Sequence, residues 1–176
     1  IDRVITGTNT GLNPSITFDA SDIPHVSYVS DKTSTAGDEG PAYATRVGSA
    51  GGSNCSDSDW TGCEVIELGT TAYTNIQIIN SLPAVSYEFV ATNTTVSYAT
   101  RDSGNGTGCN SGHASWTCER VLSIANTNSS GKMLNMTIDP NGRPALVSDN
   151  DYTNGVTNDE IYYALRVGSA GGIGCT

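Results

Sequence analysis

A chain of 176 residues with 18 acidic side chains against eight basic ones carries a formal charge of −10, which leaves no electrostatic footprint for nucleic acid or an anionic membrane surface. Abundant Gly, Ser, Thr and Asn beside only two lysines resembles the composition of secreted, exposed proteins. No apolar run is long enough to span a bilayer, and Ile1 is followed by neither a charged n-region nor an apolar h-region, so a processed chain or a piece of a longer one is expected.

Residues 1–10 begin Ile-Asp-Arg-Val-Ile-Thr and match Cys118-Glu-Arg-Val-Leu-Ser later in the chain, with Ile1 where a cysteine would stand. They are expected to form the last strand of a repeat unit. The first full unit, 13–70, opens on the alternating strand Pro14–Asp19, turns at Ala20–Ile23 and returns along Pro24–Val29, a hairpin. A polar connection leads to a third strand near Pro41–Val47. A Gly-rich loop closed by cysteines and a fourth strand, Glu64–Leu68, complete it.

The second unit, 74–125, repeats this order with Ile76–Ile79, a turn shortened to Asn80-Ser81, Leu82–Tyr87, Thr95–Thr100 and Glu119–Ser123. The third, 133–176, supplies Leu134–Ile138, the turn Asp139–Gly142, Pro144–Val147 and Glu160–Leu165, without a fourth strand. Marker prolines lie 59 and 61 residues apart (Pro24, Pro83, Pro144) and marker tyrosines 55 and 65 apart (Tyr43, Tyr98, Tyr163). A period of this length signals a repeat architecture whose variation lies in its loops.

Four antiparallel strands per repeat, with small residues such as Ala44, Ser86, Ala99 and Ala164 suited to sheet-on-sheet packing, predict an all-β fold. The expectation is a β-propeller of about three four-stranded antiparallel blades, part of a larger or shared ring, with a β-sandwich as runner-up. The N-terminal strand would supply a fourth strand that the third unit lacks. Three blades fall below the usual four to eight, so either further blades of a longer chain or a second copy of this one is expected to complete the ring.

The repeats resemble secreted bacterial propellers with sialidase-like or related four-stranded blades, a likeness of architecture that covers essentially the whole chain. The Asp-box pattern Ser-x-Asp-x-Gly-x-Thr-Trp of the sialidases is absent. Its nearest echoes are Ser58-Asp-Trp-Thr61 and Ala114-Ser-Trp-Thr117, and no sialidase catalytic residue carries over.

Cys55 and Cys63 stand eight apart, Cys109 and Cys118 nine apart, and Cys175 falls where the first member of a third pair would be. Two local disulfides are expected, each stabilising by roughly 2 to 3 kcal/mol, with an oxidising compartment and an unpaired or intermolecular Cys175. Reduced buried thiols are the bland alternative. Zinc is disfavoured because the only histidines are His25 and His113 and no Cys-x-x-Cys occurs.

Arg46, Arg101 and Arg166 could grip a carboxylate ligand, but their equivalent positions favour a structural role, each head pairing with an acid of its own blade. Trp60 and Trp116 recur just before the second cysteine of each pair and read first as packing residues, with a sugar-stacking platform as the alternative. His25 and His113 lack an obvious catalytic partner. Acidic connections, Asp31, Asp38 and Glu39 in the first unit and Asp149, Asp151, Asp159 and Glu160 in the third, offer hard oxygens for Ca2+ or a ligand; solvated loops are the simpler reading, and no cofactor is expected. Sequons start at Asn54, Asn93, Asn105, Asn128 and Asn135. The functional expectation is a non-catalytic extracellular structural or binding scaffold whose partners are itself, a glycan or a surface protein. The alternative is a carbohydrate-binding or glycoside-cleaving propeller, a lectin or sialidase-like protein, which as an enzyme would need two carboxylates at a defined separation.

Overall fold

The computed structural model describes residues 4–5, 10–30, 39–90, 94–102, 104, 106–110, 114–124, 134–150 and 160–166. Among these the fold is all-β, with a single 3-10 turn at Gly48–Ala50. Three antiparallel sheets follow one another along the chain. The first is β1 (Thr10–Phe18), β2 (Pro24–Ser30), β3 (Gly40–Arg46) and β4 (Trp60–Val65). The second is β5 (Thr74–Ile79), β6 (Leu82–Val90), β7 (Thr94–Arg101) and β8 (Trp116–Ile124). The third holds β9 (Asn135–Ile138), β10 (Pro144–Asn150) and β11 (Glu160–Leu165), with β10 in the middle.

Each sheet is a meander whose neighbours in space are neighbours in sequence, so its pairing needs only local turns. The β5–β6 turn takes two residues because Asn80 and Ser81 both adopt positive φ, 52° and 65°, the handedness that matches strand twist. In the first and third sheets the corresponding turn is held by an aspartate. Asp19 Oδ1 accepts from the amides of Ser21 and Ile23, and Asp139 Oδ1 accepts from those of Asn141 and Arg143.

Asp139 also binds the Arg143 guanidinium, Nε to Oδ2 at 2.8 Å. The Arg143 side-chain bond, then the Arg143 and Asn141 amides, hold this carboxyl down at about 2. A lowered folded value means that the turn's contribution is complete above the ordinary aspartate range and fades as pH falls toward 2. Asp139→Asn should therefore lower the thermal midpoint at pH 5 to 7, with the gap to the parent closing by pH 2 in matched melting curves.

The fourth strands begin earlier than the sequence predicts, at Trp60 and Trp116 rather than Glu64 and Glu119. Trp60 pairs with Arg46 and Trp116 with Arg101, so the strand runs through the second cysteine of each pair. A bulge between the Tyr43 and Ala44 partners, where Gly62 and Cys63 both take positive φ, keeps Glu64 on the face that meets the next sheet.

The sheets stack face to face. β5 packs against β1 and β2 on one side and β9 on the other, so the first strands of successive sheets lie side by side. Short polar side chains knit this seam: Thr74 Oγ1 donates to Asn13 O, the Ile76 amide to Ser15 Oγ, and Gln77 Nε2 to Met136 O. Between the first two sheets lies a core of Tyr43, Ile66, Ile76, Val85, Tyr87, Phe89, Ala99 and Trp116. Between the second and third lies another, of Ile79, Ala84, Val96, Tyr98, Leu134, Met136 and Leu146. The middle sheet is thus apolar on both faces. Ala44, Ser86 and Ala99 are fully buried, as close stacking requires.

Of the strand expected at 1–10, Val4, Ile5 and Thr10 fall within the described residues; Thr10 opens β1, while Val4 and Ile5 lie ahead of it. Neither belongs to a strand, and both pack on the outer face of the first sheet beside Tyr28, Ala44, Trp60 and Cys63. Val4 O accepts from the Ser56 amide at 3.1 Å.

Candidate functional site at the faces between sheets

Both predicted disulfides are present, Cys55–Cys63 and Cys109–Cys118, each closing a loop onto the outermost strand of its own sheet. The loop reaches that strand over a glycine: a Cβ at Gly52 would lie 1.9 Å from Trp60 O, and one at Gly106 the same distance from Trp116 O. Any larger residue there would displace the loop. Cys175 and His113 lie outside the described residues.

The charged groups converge between the sheets. Arg101, at the end of β7, pairs with Glu64 of the first sheet at 3.5 Å and lies over the Tyr43 ring, 5.1 Å from its centroid. Trp116 Nε1 donates to the same Glu64 at 2.8 Å, and its ring meets Tyr43 edge-on at 5.3 Å. One step along, Arg166 pairs with Glu119 of the second sheet at 2.5 Å and lies over Tyr98 at 5.8 Å. The clasp is a repeat property: an arginine of one sheet takes an acid and a tyrosine of the sheet before it. This corrects the expectation that each arginine pairs within its own blade, since β7 and β11 turn Arg101 and Arg166 toward the preceding sheet. Only Arg46 has its pictured partner at home, Asp59 at 3.3 Å.

A second, unrepeated hub centres on Glu67, which is fully buried. Its carboxylate accepts from the Tyr87 hydroxyl at 2.5 Å, the Asn110 amide at 2.7 Å and the Arg120 guanidinium in a two-pronged pair. Arg120 also donates to Ser97 Oγ and lies over the Phe89 ring. The bonds to Glu67 raise the Arg120 pKa, while burial and then the Glu67 charge push Tyr87 far above the ordinary phenol range. Tyr98, buried with no such hub, is pushed up to about 12. These phenols stay neutral and cannot serve as bases near neutrality.

His25 is buried on β2, with Nδ1 2.7 Å from the Tyr43 hydroxyl and Nε2 3.5 Å from Asp19 Oδ2. Three titratable groups in line suggest a proton relay. Tyr43, however, is 1% exposed and its pKa is raised by burial in spite of Arg101, so the row ends on a buried neutral phenol. It reads as packing, with Nδ1 bonded to the phenol and Nε2 without a hydrogen-bond partner among the described residues.

Trp116 is buried between the first two sheets and Trp60 is buried on the outer face of the first sheet beside Val4 and Ile5, so neither presents an open ring face for a sugar to stack on. Among the acidic loop residues, Asp31, Asp38, Asp151 and Asp159 lie outside the described residues. Glu39 is partly buried, and its carbonyl accepts from the Gly69 amide. Asp149 and Glu160 sit on the paired strands β10 and β11, Asp149 opposite Ile161 and Glu160 opposite Asn150. No cluster of three or more His, Cys, Asp or Glu side chains able to hold a metal occurs among the described residues, and none of their helices is long and apolar enough to cross a membrane.

The Glu67 hub was not foreseen. Its repeat equivalent in the second unit is Leu122, so no periodic signal marks it; the one available sign was a second acid, beside Glu64, in the short expected strand Glu64–Leu68. No protein-family profile, curated protein or solved structure matches the chain.

Proposed function

We propose that the chain is a non-catalytic extracellular scaffold, structural or binding in role, whose sheets are blades of a β-propeller of the secreted bacterial, sialidase-like-blade type. The observation that carries this is where the ionic chemistry goes. Glu64, Glu67 and Glu119 with Arg101, Arg120 and Arg166 are all engaged between sheets, where they fix one stacking geometry. Successive sheets that meet through first strands and a recurring clasp are what a radial array needs. Two disulfides suit an oxidising environment. Secretion and a surface role for the loops follow as parts of the same proposal.

The test is a glycan array together with a panel of chromogenic glycosides, run on the disulfide-intact protein. Neither saturable glycan binding nor turnover is expected. Saturable binding to one glycan class would replace the scaffold by a lectin, and turnover abolished by a single carboxylate-to-amide substitution would replace it by a glycosidase.

A further inference from the structure

The two end sheets carry faces whose counterparts elsewhere in the chain are buried. On the third sheet Tyr163 is 59% exposed, whereas its equivalents Tyr43 and Tyr98 are each 1% exposed inside an inter-sheet face. Ile161 is 79% exposed against 2% for its equivalent Val96. On the opposite face of the first sheet Ile16 is 59% exposed, while its equivalents Ile76 and Met136 are at 0% and 2%. Each bare face therefore has its partner's chemistry written in the same chain: the third sheet presents what the first and second present forward, and the first presents what the second and third present backward.

The polar groups of the first sheet's outer face point the same way. On the second sheet Trp116 Nε1 and the Tyr87 hydroxyl are satisfied by Glu64 and Glu67 of the preceding sheet. Their equivalents Trp60 Nε1 and the Tyr28 hydroxyl are buried and have no hydrogen-bond partner among the described residues. Val4 and Ile5, which the sequence aligns with Ile66 and Glu67, already sit on this face. The Ser56 amide donates to Val4 O where its equivalent, the Asn110 amide, donates to Glu67. Val4 and Ile5 are thus seated on the first sheet much as Ile66 and Glu67 are on the second, and β11 is the edge of a three-stranded sheet among the described residues.

We infer that a second copy of this chain completes the array: the Ile161–Tyr163 face of one copy docks on the Ile16–Trp60 face of the other, which brings Val4 and Ile5 beside β11, the edge strand of the third sheet among the described residues. Arg46 then lies over Tyr163 of the second copy, as Arg101 lies over Tyr43 and Arg166 over Tyr98. The contact is heterologous, so it must close into a ring or run on as a filament. With the three sheets formed by the described residues of each copy, one copy gives three blades and three copies nine, both outside the roughly four to eight that close; two copies give six.

This rests on the propeller reading and goes beyond it. Light-scattering mass on the disulfide-intact chain should give twice the chain mass. Ile161→Asp with Tyr163→Asp, or Ile16→Asp on the opposite face, should each raise the dimer Kd by about a hundredfold or more, because a charge is buried without a partner. Circular dichroism and disulfide content should stay unchanged, since all three side chains are exposed in the single chain. Mixing the two crippled variants should restore a dimer through the one undamaged contact, an outcome specific to head-to-tail pairing. Arg46→Ala should weaken the dimer by roughly tenfold. A monomer overturns the shared ring, whether the faces stay bare or are covered by other blades of the same polypeptide, and leaves the blade reading standing. A dimer indifferent to substitutions on both faces overturns the ring and the propeller packing together.

Discussion

Glu67→Ala should lower stability by about 3 to 5 kcal/mol, because it unpairs the buried Tyr87 hydroxyl and the Asn110 amide, about 1 to 3 kcal/mol each, and removes the counter-ion of Arg120, which is about a third exposed. The carboxylate holds three donors from the second sheet at once: the Tyr87 hydroxyl, the Asn110 amide and the Arg120 guanidinium. Its loss leaves Arg120, wedged between Phe89 and Ser97, without a counter-ion. Glu67→Gln keeps the shape and one acceptor but not the charge, and should recover part of the loss. The double variant Glu67→Leu with Arg120→Met should lie well above Glu67→Ala, because no buried charge is stranded. Denaturant midpoints for the three variants check this. Should Glu67→Ala fall within about 1 kcal/mol of the parent, as exposed pairs do, the hub is not a buried one.

Trp116→Ala should cost a comparable amount, about 3 to 5 kcal/mol for deletion of a fully buried indole. Trp116→Phe isolates the hydrogen bond. It retains most of the packing against Tyr43 and removes one donor from Glu64 Oε1, which keeps Arg101, for about 1 kcal/mol. Trp60 gives the internal control. Its Nε1 meets no acceptor among the described residues, so Trp60→Phe in the single chain should cost only the packing lost with the smaller ring. The contrast between two tryptophans at one repeat position, read by equilibrium unfolding, separates the indole's volume from its donor.

Much of the architecture was legible because repeats report on themselves. The proline and tyrosine markers placed β2, β3 and their equivalents, the shortened second turn fell at Asn80-Ser81, and the cysteine spacings predicted both disulfides. The same equivalence assigned Arg101 and Arg166 a common structural role. It could not say whether the acid each one meets lies in its own sheet or the one before. That depends on which face of the strand the arginine occupies, and in a sheet covered on both sides neither face is marked by polarity. The early start of β4 and β8 was hidden for a related reason: Gly62 and the cysteines read as loop, yet a bulge lets the strand pass through them. Glu67 escaped because it occurs once, and its partners are 20 to 53 residues away in sequence.

Both disulfides close within one sheet, between cysteines eight and nine residues apart. Four cysteines can pair in three ways, and only this one keeps each bond inside a single loop. Close spacing makes the native partner by far the nearer one even in an unfolded chain, since closing a short loop costs less entropy than reaching across to the other pair. Oxidation can therefore keep pace with synthesis, each unit being sealed before the next emerges. Correct pairing needs no disulfide isomerase to undo a trapped crossover.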